Sequence, residues 1–105
     1  MTPEGIYYTG FADEAAKDID GQVAATKALG WSNIESRAVD GVNLHDLTEA
    51  AFDVVAQKLD DAGITVNCFG SAISNWAKDV LDPADTSFAE TDRAITRMKA
   101  LGTKL

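Results

Sequence analysis

Apolar side chains recur at two different spacings along the chain, and the changes of spacing outline alternating helices and strands. Residues 19–29, the stretch after Thr48 and the stretch after Ser87 have apolar positions three or four residues apart, which predicts three amphipathic helices. The extended segments around them are residues 6–11, 33–37 and 64–70. Strands that alternate with helices of this length favour parallel pairing through right-handed crossovers, so the predicted fold class is α/β.

The predicted helix ends form an internal repeat. Each ends in a similar short sequence with a final glycine, at Gly30, Gly63 and Gly102, and glycine suits the left-handed conformation that ends a helix. These glycines are 33 and 39 residues apart, and one βα unit of a (β/α)₈ barrel averages about 31 residues. The spacing therefore predicts one domain over residues 1–105, formed by the first three βα units of a TIM barrel and truncated before strand 4.

The same periodicity predicts which helix side chains are buried. Thr48 and Ser87 are expected to cap the second and third helices. The first helix is expected to bury Ile19, Val23, Thr26 and Leu29, and the second to bury Phe52, Val55 and Leu59. The third is expected to bury Phe88, Ile95, Met98 and Leu101 and to expose Arg93, Arg97 and Lys99.

Alternation along the strands sorts their side chains into two faces. Ile34 is expected to face the helices, which turns Asn33, Glu35 and Arg37 toward the barrel interior. The residues of the third strand expected to face the helices are Ile64, Val66 and Cys68, so the cysteine should be an inert core residue. The other interior residues are expected to be Tyr7, Thr9, Phe11, Thr65, Asn67, Phe69 and Ser71.

A charged interior row is unusual, because burying a carboxylate or a guanidinium is costly unless the charge is paired. One interpretation is a structural ion pair between Arg37 and Glu35, and the one favoured here is that both bind a polyhydroxylated ligand. Asp13 and Glu14 follow the first strand and are either ligand contacts or partners of a helix dipole. Asn43 in the second strand-to-helix stretch is either a turn residue or a ligand contact.

Two aromatic residues and the histidine complete the candidates. Phe11 and Trp76 either stack on the apolar face of a sugar ring or cover the core. His45 has no carboxylate or cysteine at a metal-ligand spacing and is interpreted as a loop residue.

Charge and composition narrow the classes of partner. Seventeen acidic residues against nine basic residues give a net charge of −8, which disfavours nucleic acid and anionic membrane surfaces as partners. No apolar run approaches the ~20 residues that span a bilayer. The single cysteine cannot form an internal disulfide and gives no sign of an oxidising compartment, so a cytoplasmic location is expected.

Four short motifs follow one another along the chain. They are Phe11-Ala12-Asp13-Glu14, Ile34-Glu35-Ser36-Arg37, Gly41-Val42-Asn43 and Gly70-Ser71-Ala72-Ile73. In this order, and with helices of matching length between them, they resemble the N-terminal part of the sugar phosphate isomerase/epimerase family, within the xylose isomerase-like TIM barrel superfamily.

The resemblance implies an isomerase or epimerase that acts on a sugar or sugar phosphate by metal-assisted proton transfer next to a carbonyl. It implies a divalent metal (Mn, Mg, Zn or Co) whose ligands, like the acid/base carboxylates, lie on later strands. The fragment alone is therefore expected to be inactive, and either to be marginally stable or to self-associate through open strand edges. Its expected substrate-binding residues are Phe11, Glu14, Glu35, Arg37, Asn43, Ser71 and Trp76.

Two other functions remain open. An abasic-site endonuclease of the same superfamily should have basic loops that grip DNA, and the net charge of −8 argues against this. A non-catalytic α/β interaction module should have an apolar strand interior, and Asn33, Glu35 and Arg37 argue against that.

Overall fold

The three helices form where the apolar spacing predicts them. The computed structural model describes residues 4–105 and has helices α1 (Ile19–Ala28), α2 (Glu49–Asp61) and α3 (Asp85–Leu101). The predicted cap of α2 is confirmed, because the Thr48 hydroxyl accepts a hydrogen bond from the Ala51 N–H at 3.1 Å. The predicted cap of α3 is wrong. This helix begins at Asp85, so Ser87 lies in its first turn, where its hydroxyl is bonded to the Ser74 hydroxyl at 2.9 Å.

A parallel pair of strands, with a hairpin beside it, accompanies these helices. The strands are β1 (Asn33–Ser36), β2 (Ala38–Val39), β3 (Val42–Asn43) and β4 (Thr65–Phe69). β1 pairs with β4 in parallel, as predicted, and β2 pairs with β3 antiparallel. The predicted strand over residues 6–11 is wrong. Only Phe11 forms an isolated parallel bridge, to Glu35, because residues 6–8 are more than half exposed and make no ladder with β1.

The parallel segments lie side by side in chain order. On one side of the pair, the Glu35 N–H donates to the Gly10 carbonyl at 2.9 Å. On the other side, the Phe69 N–H donates to the Leu105 carbonyl at 2.8 Å. The carboxyl ends of β1 and β4 therefore meet at one edge, next to the turn that follows Phe11.

A β-bulge in β4 changes which side chains face the site. Ile34 pairs with Val66 but Glu35 pairs with Cys68, so Asn67 is an extra residue in the ladder. Ile34 and Val66 are both buried in the core, as predicted. Beyond the bulge the alternation is reversed. The predicted positions of Cys68 and Phe69 are therefore wrong, since Phe69 is buried in the core and Cys68 lies half-buried beside Glu35.

The hairpin of β2 and β3 lies in the predicted strand-to-helix stretch between β1 and α2. Its turn is Asp40-Gly41, and both residues have positive φ, 53° and 79°. Two positive φ values are what a type I′ turn requires, and Asp-Gly is a frequent sequence for it. The hairpin brings Asn43 back toward the end of β4, where its amide donates to the Gly70 carbonyl at 2.9 Å.

Two helices bury the predicted faces only in part. α1 buries Ile19 and Thr26 as predicted and Gln22 in addition, but Leu29 just after it is 61% exposed. Met98 and Leu101 of α3 pack against the core as predicted. α3 buries Glu90, Ala94 and Arg97, whereas Phe88 is 68% exposed. The buried polar residues of α3 are Glu90, which pairs with Lys78, and Arg97, which donates to the carbonyls of Leu44 and Leu47.

The core is formed mainly by α2, the two parallel strands and the segment before α2. Its largest buried apolar residues are Ile34, Leu44, Leu47, Phe52, Val55, Leu59, Ile64, Val66 and Phe69. Within residues 4–105, no helix combines the length and the apolar character that crossing a bilayer requires.

Candidate functional site

Arg37 is the centre of a cluster at the carboxyl ends of the parallel segments. Its Nε donates to Asp13 Oδ1 at 3.0 Å, and its Nη2 donates to the same oxygen at 2.8 Å. Asp13 belongs to a single 3₁₀ turn, Ala12–Glu14, which begins directly after the bridge between Phe11 and Glu35. The turn therefore brings an acidic side chain back over the end of β1.

Phe11 and Glu14 complete the surroundings of the guanidinium. The Arg37 guanidinium carbon lies 3.9 Å from the centre of the Phe11 ring, which is a cation–π contact. Glu14 Oε1 lies 3.4 Å from Arg37 Nη2. The hydrogen bonds to Asp13 raise the pKa of Arg37, partial burial opposes the shift, and the charges of Asp13 and Glu14 add to it. Arg37 is thus a fixed cation, oriented by an aromatic face and two carboxylates.

Gly70 lets the end of β4 approach this arginine. A Cβ at Gly70 would collide with the Cγ of Arg37, and the position is filled instead by the aliphatic part of the arginine side chain. The side-chain amide of Asn43 donates a hydrogen bond to the backbone carbonyl of Gly70. The side-chain oxygen of Asn43, Oδ1, accepts a hydrogen bond from the His45 N–H at 3.3 Å. The amide of Asn43 is therefore already engaged in joining two loops.

Glu35 takes a different neighbour from the one that the ion-pair interpretation assumed. Arg37 has Asp13 and Glu14 as its carboxylate partners, and Glu35 lies beside the Cys68 thiol. Burial raises the pKa of Cys68, and the negative charge of Glu35 and a hydrogen bond to it raise this pKa further. The thiol is therefore kept protonated and is a poor nucleophile.

This contact predicts the reactivity of the thiol. At pH 8, Cys68 should react with iodoacetamide more slowly than a free cysteine, because less of it is thiolate. Glu35→Gln removes the negative charge, lowers the pKa of Cys68 and should increase the alkylation rate by about two- to fivefold. Glu49→Gln, at an exposed glutamate, is the matched control and should leave the rate unchanged. Equal rates in all three proteins would contradict the bulge that places Cys68 next to Glu35.

The predicted ligand residues fall into three groups. Phe11, Glu14, Glu35 and Arg37 come together at the ends of the parallel segments. Asn43 and Ser71 flank Gly70, with Ser71 exposed. Trp76 is fully exposed in the loop between β4 and α3, and the structure does not bring it to this cluster.

Sequence reasoning undervalued three residues of this region. Asp13 is the principal partner of Arg37, and its place in the motif after the first extended segment was the available signal. Asn67 accepts a hydrogen bond from the Thr9 hydroxyl at 2.7 Å, which joins β4 to the segment before Phe11. Cys68 faces Glu35 only because of the bulge, for which the sequence offers no signal.

The carboxylates of the cluster do not form a metal site. Among residues 4–105, no group of three or more His, Cys, Asp or Glu side chains is arranged to hold a metal ion. Both oxygens of Asp13 accept hydrogen bonds from Arg37, so the charge of this carboxylate is already paired with a guanidinium. The cluster is suited to hydrogen bonding of a polar ligand.

A separate cleft of about 620 Å³ lies between the loop after β4 and the start of α3. Its wall includes Lys78, Val80, Pro83 and Phe88. Neither Arg37 nor its contacts Phe11, Asp13 and Glu14 line this cleft, so it is separate from the Arg37 cluster.

The geometry above describes an Arg37-centred cluster at the carboxyl ends of parallel segments in an α/β structure. Comparison of the chain with family models, with curated proteins and with solved structures finds no match.

Proposed function

We propose that this chain is the N-terminal part of a sugar or sugar phosphate isomerase or epimerase built on a (β/α)₈ barrel. The observation that carries the proposal is the cluster of Phe11, Asp13, Glu35 and Arg37 at the carboxyl ends of parallel segments. In TIM barrels, the residues that contact substrate lie at this end of the strands. The motifs that resemble the family supply just these residues.

The order of the segments supports the barrel architecture. Gly10, β1, β4 and Leu105 are neighbours in chain order, joined by the bonds from Glu35 to Gly10 and from Phe69 to Leu105. Sequential parallel neighbours with intervening helices are the arrangement of a βα barrel. A doubly wound sheet would reverse its strand order at a switch point.

The chemistry of the cluster suits a ligand with many hydroxyl groups. The carboxylate of Glu35 can accept hydrogen bonds from hydroxyls, and the oriented guanidinium of Arg37 can donate to hydroxyl or carbonyl oxygens. Phe11 is covered by the guanidinium on one face, so its role is to orient Arg37. In this proposal, the residues of the chain bind and orient the substrate, and Glu35 is not the base.

The reaction that we propose for the intact enzyme is proton transfer next to a carbonyl. The family resemblance assigns the divalent metal and the acid/base carboxylates to later strands. No step of the reaction is assigned to the carboxylates of residues 4–105. By this proposal the 105-residue chain binds sugars weakly and does not turn them over.

A sugar titration followed by amide NMR tests the proposal. Ketoses and their phosphates should shift the amide signals near Phe11, Glu35 and Arg37, with affinities in the millimolar range, about −4 kcal/mol. Gly70→Ala should abolish the shifts, because the added Cβ displaces the Arg37 side chain. Gly10→Ala is the matched control, since its Cβ would meet Trp31 at an ordinary 3.6 Å.

Two results would contradict the proposal. No response to any sugar, together with binding of an abasic-site DNA duplex, would support the endonuclease and reject the isomerase. Shifts that are the same in Gly70→Ala and Gly10→Ala would remove the Arg37 cluster from the proposal.

Exposed apolar side chains favour a second function, protein–protein contact. In the loop after β4, Trp76, Val80 and Leu81 are 101%, 96% and 87% exposed. Phe88 on α3 is also exposed and lines the same cleft as Val80. Exposed apolar groups that lie close together mark interaction sites. We propose that copies of the chain associate through these side chains and through the open strand edges.

Sedimentation velocity checks this association. The sedimentation coefficient should rise with protein concentration, and Trp76→Ser should weaken the rise because it removes the most exposed aromatic side chain. A monomer at every concentration would contradict the prediction.

A further inference from the structure

His45 is completely buried, although it lies in the short segment between β3 and α2. Its Nε2 accepts a hydrogen bond from the Ala72 N–H at 3.1 Å. A ring nitrogen that accepts carries no proton, so the neutral ring has its proton on Nδ1. Nδ1 lies 3.2 Å from Asp46 Oδ1 but is not aligned with it, and it has no hydrogen-bond partner among the described residues.

The bond from His45 to Ala72 joins two of the strand-to-helix segments. Two residues earlier, at the end of β3, the side-chain amide of Asn43 donates a second hydrogen bond to this region, to the Gly70 carbonyl. Residues 70–72 follow directly on β4 and include the glycine that lies against Arg37. The position of this edge of the Arg37 cluster is therefore set by Asn43 and His45 together.

The charged groups around His45 come from its own segment and from α3. Asp46 is the nearest carboxylate, and its Oδ1 also accepts from Arg93 Nη2 at 3.0 Å. Arg93 Nε donates to the His45 carbonyl at 3.0 Å, and Arg97 donates to the carbonyl of Leu44. The carboxylate nearest to Nδ1 is thus already shared with Arg93, and both arginines bond to the backbone of the segment that carries His45.

We propose that His45 is a proton-operated latch that holds Ala72 against the segment before α2. When the ring takes up a proton, Nε2 becomes a donor that faces the donor N–H of Ala72, so the hydrogen bond is lost. The new charge is also fully buried, which costs free energy as long as the ring stays in place. Both effects release Ala72.

The release is local. The loop beyond Ala72 is held to α3 by the bond between Ser74 and Ser87 and by the ion pair between Lys78 and Glu90. Neither contact involves His45. Protonation of the ring therefore releases Ala72 and the backbone next to it, while Gly70 stays held by Ser36 and Asn43. The latch itself does not depend on the proposed sugar function.

NMR of the 105-residue chain tests the latch directly. His45 is the only histidine in the sequence, so its ring signals need no assignment. At pH 8 the ring should be the tautomer with the proton on Nδ1. As acidification adds a proton to the ring, which its own signals report, the hydrogen exchange of the Ala72 amide, corrected for intrinsic rates, should accelerate about tenfold.

The Gly70 amide is the internal control, because it donates to the Ser36 carbonyl and should keep its protection. His45→Gln places an uncharged side chain at position 45 and should remove the acid response of Ala72. Three results would each overturn the latch: a proton on Nε2 at pH 8, a ring that titrates without any change at Ala72, or an acid response of Ala72 that persists in His45→Gln. The first two need only the unmodified chain.

Discussion

Replacing Arg97 with alanine should lower the free energy of unfolding by about 3 kcal/mol. Arg97 is 4% exposed and donates hydrogen bonds to the carbonyls of Leu44 and Leu47. Its guanidinium carbon also lies 5.0 Å from the centre of the Phe52 ring. Alanine leaves both carbonyls without their donor and opens a space beside the aromatic ring.

Urea denaturation of two further variants separates these causes. Arg97→Met restores much of the side-chain volume but no donor, so it should recover part of the loss. Arg93→Ala removes an arginine that lies on the same helix and is partly exposed, and should cost about 1 kcal/mol. If Arg97→Ala loses no more than Arg93→Ala, the two carbonyls are satisfied without Arg97 and the buried position of this side chain is wrong.

The second large expected effect is a difference in stability between the alanine variants of a buried and an exposed phenylalanine. Phe52 on α2 is 3% exposed and belongs to the core, so Phe52→Ala should cost about 3–5 kcal/mol. Phe88 on α3 is 68% exposed, so Phe88→Ala should change stability by less than about 0.5 kcal/mol.

The same residue type is removed in both cases, so the difference between the free energies of unfolding reports burial alone. Denaturation followed by far-ultraviolet circular dichroism measures both. Similar losses for the two variants would mean that α3 packs on the core through Phe88, as its apolar spacing predicted.

The prediction of the Arg37 cluster from sequence was partial, for identifiable reasons. Strand alternation placed Glu35 and Arg37 away from Ile34, and the structure agrees because β1 has no irregularity of its own to reverse the faces. The partner of Arg37 could not be chosen, since Asp13, Glu14 and Glu35 are all acidic and near it in the motifs. The choice depends on a 3₁₀ turn that brings Asp13 within hydrogen-bond distance.

The amino-acid sequence by itself determined the features that follow from a regular pattern of apolar residues, from the alternation of helices and strands, or from a local contact. These are the three helices, the Thr48 cap, the parallel pairing of β1 with β4 and the burial of Ile34 and Val66. Each follows from the period of apolar residues or from a local hydrogen bond.

Only the tertiary structure decided the features that depend on distant partners. The extra residue in β4 reverses the facing of Cys68 and Phe69, because a period of two changes phase with one insertion. α3 buries Arg97 because carbonyls some 50 residues away need a donor there. His45 is buried with its Nε2 bonded to the N–H of Ala72, which lies 27 residues further along the chain. A polar group can be buried only where a hydrogen-bond partner is present, and the position of that partner depends on the fold.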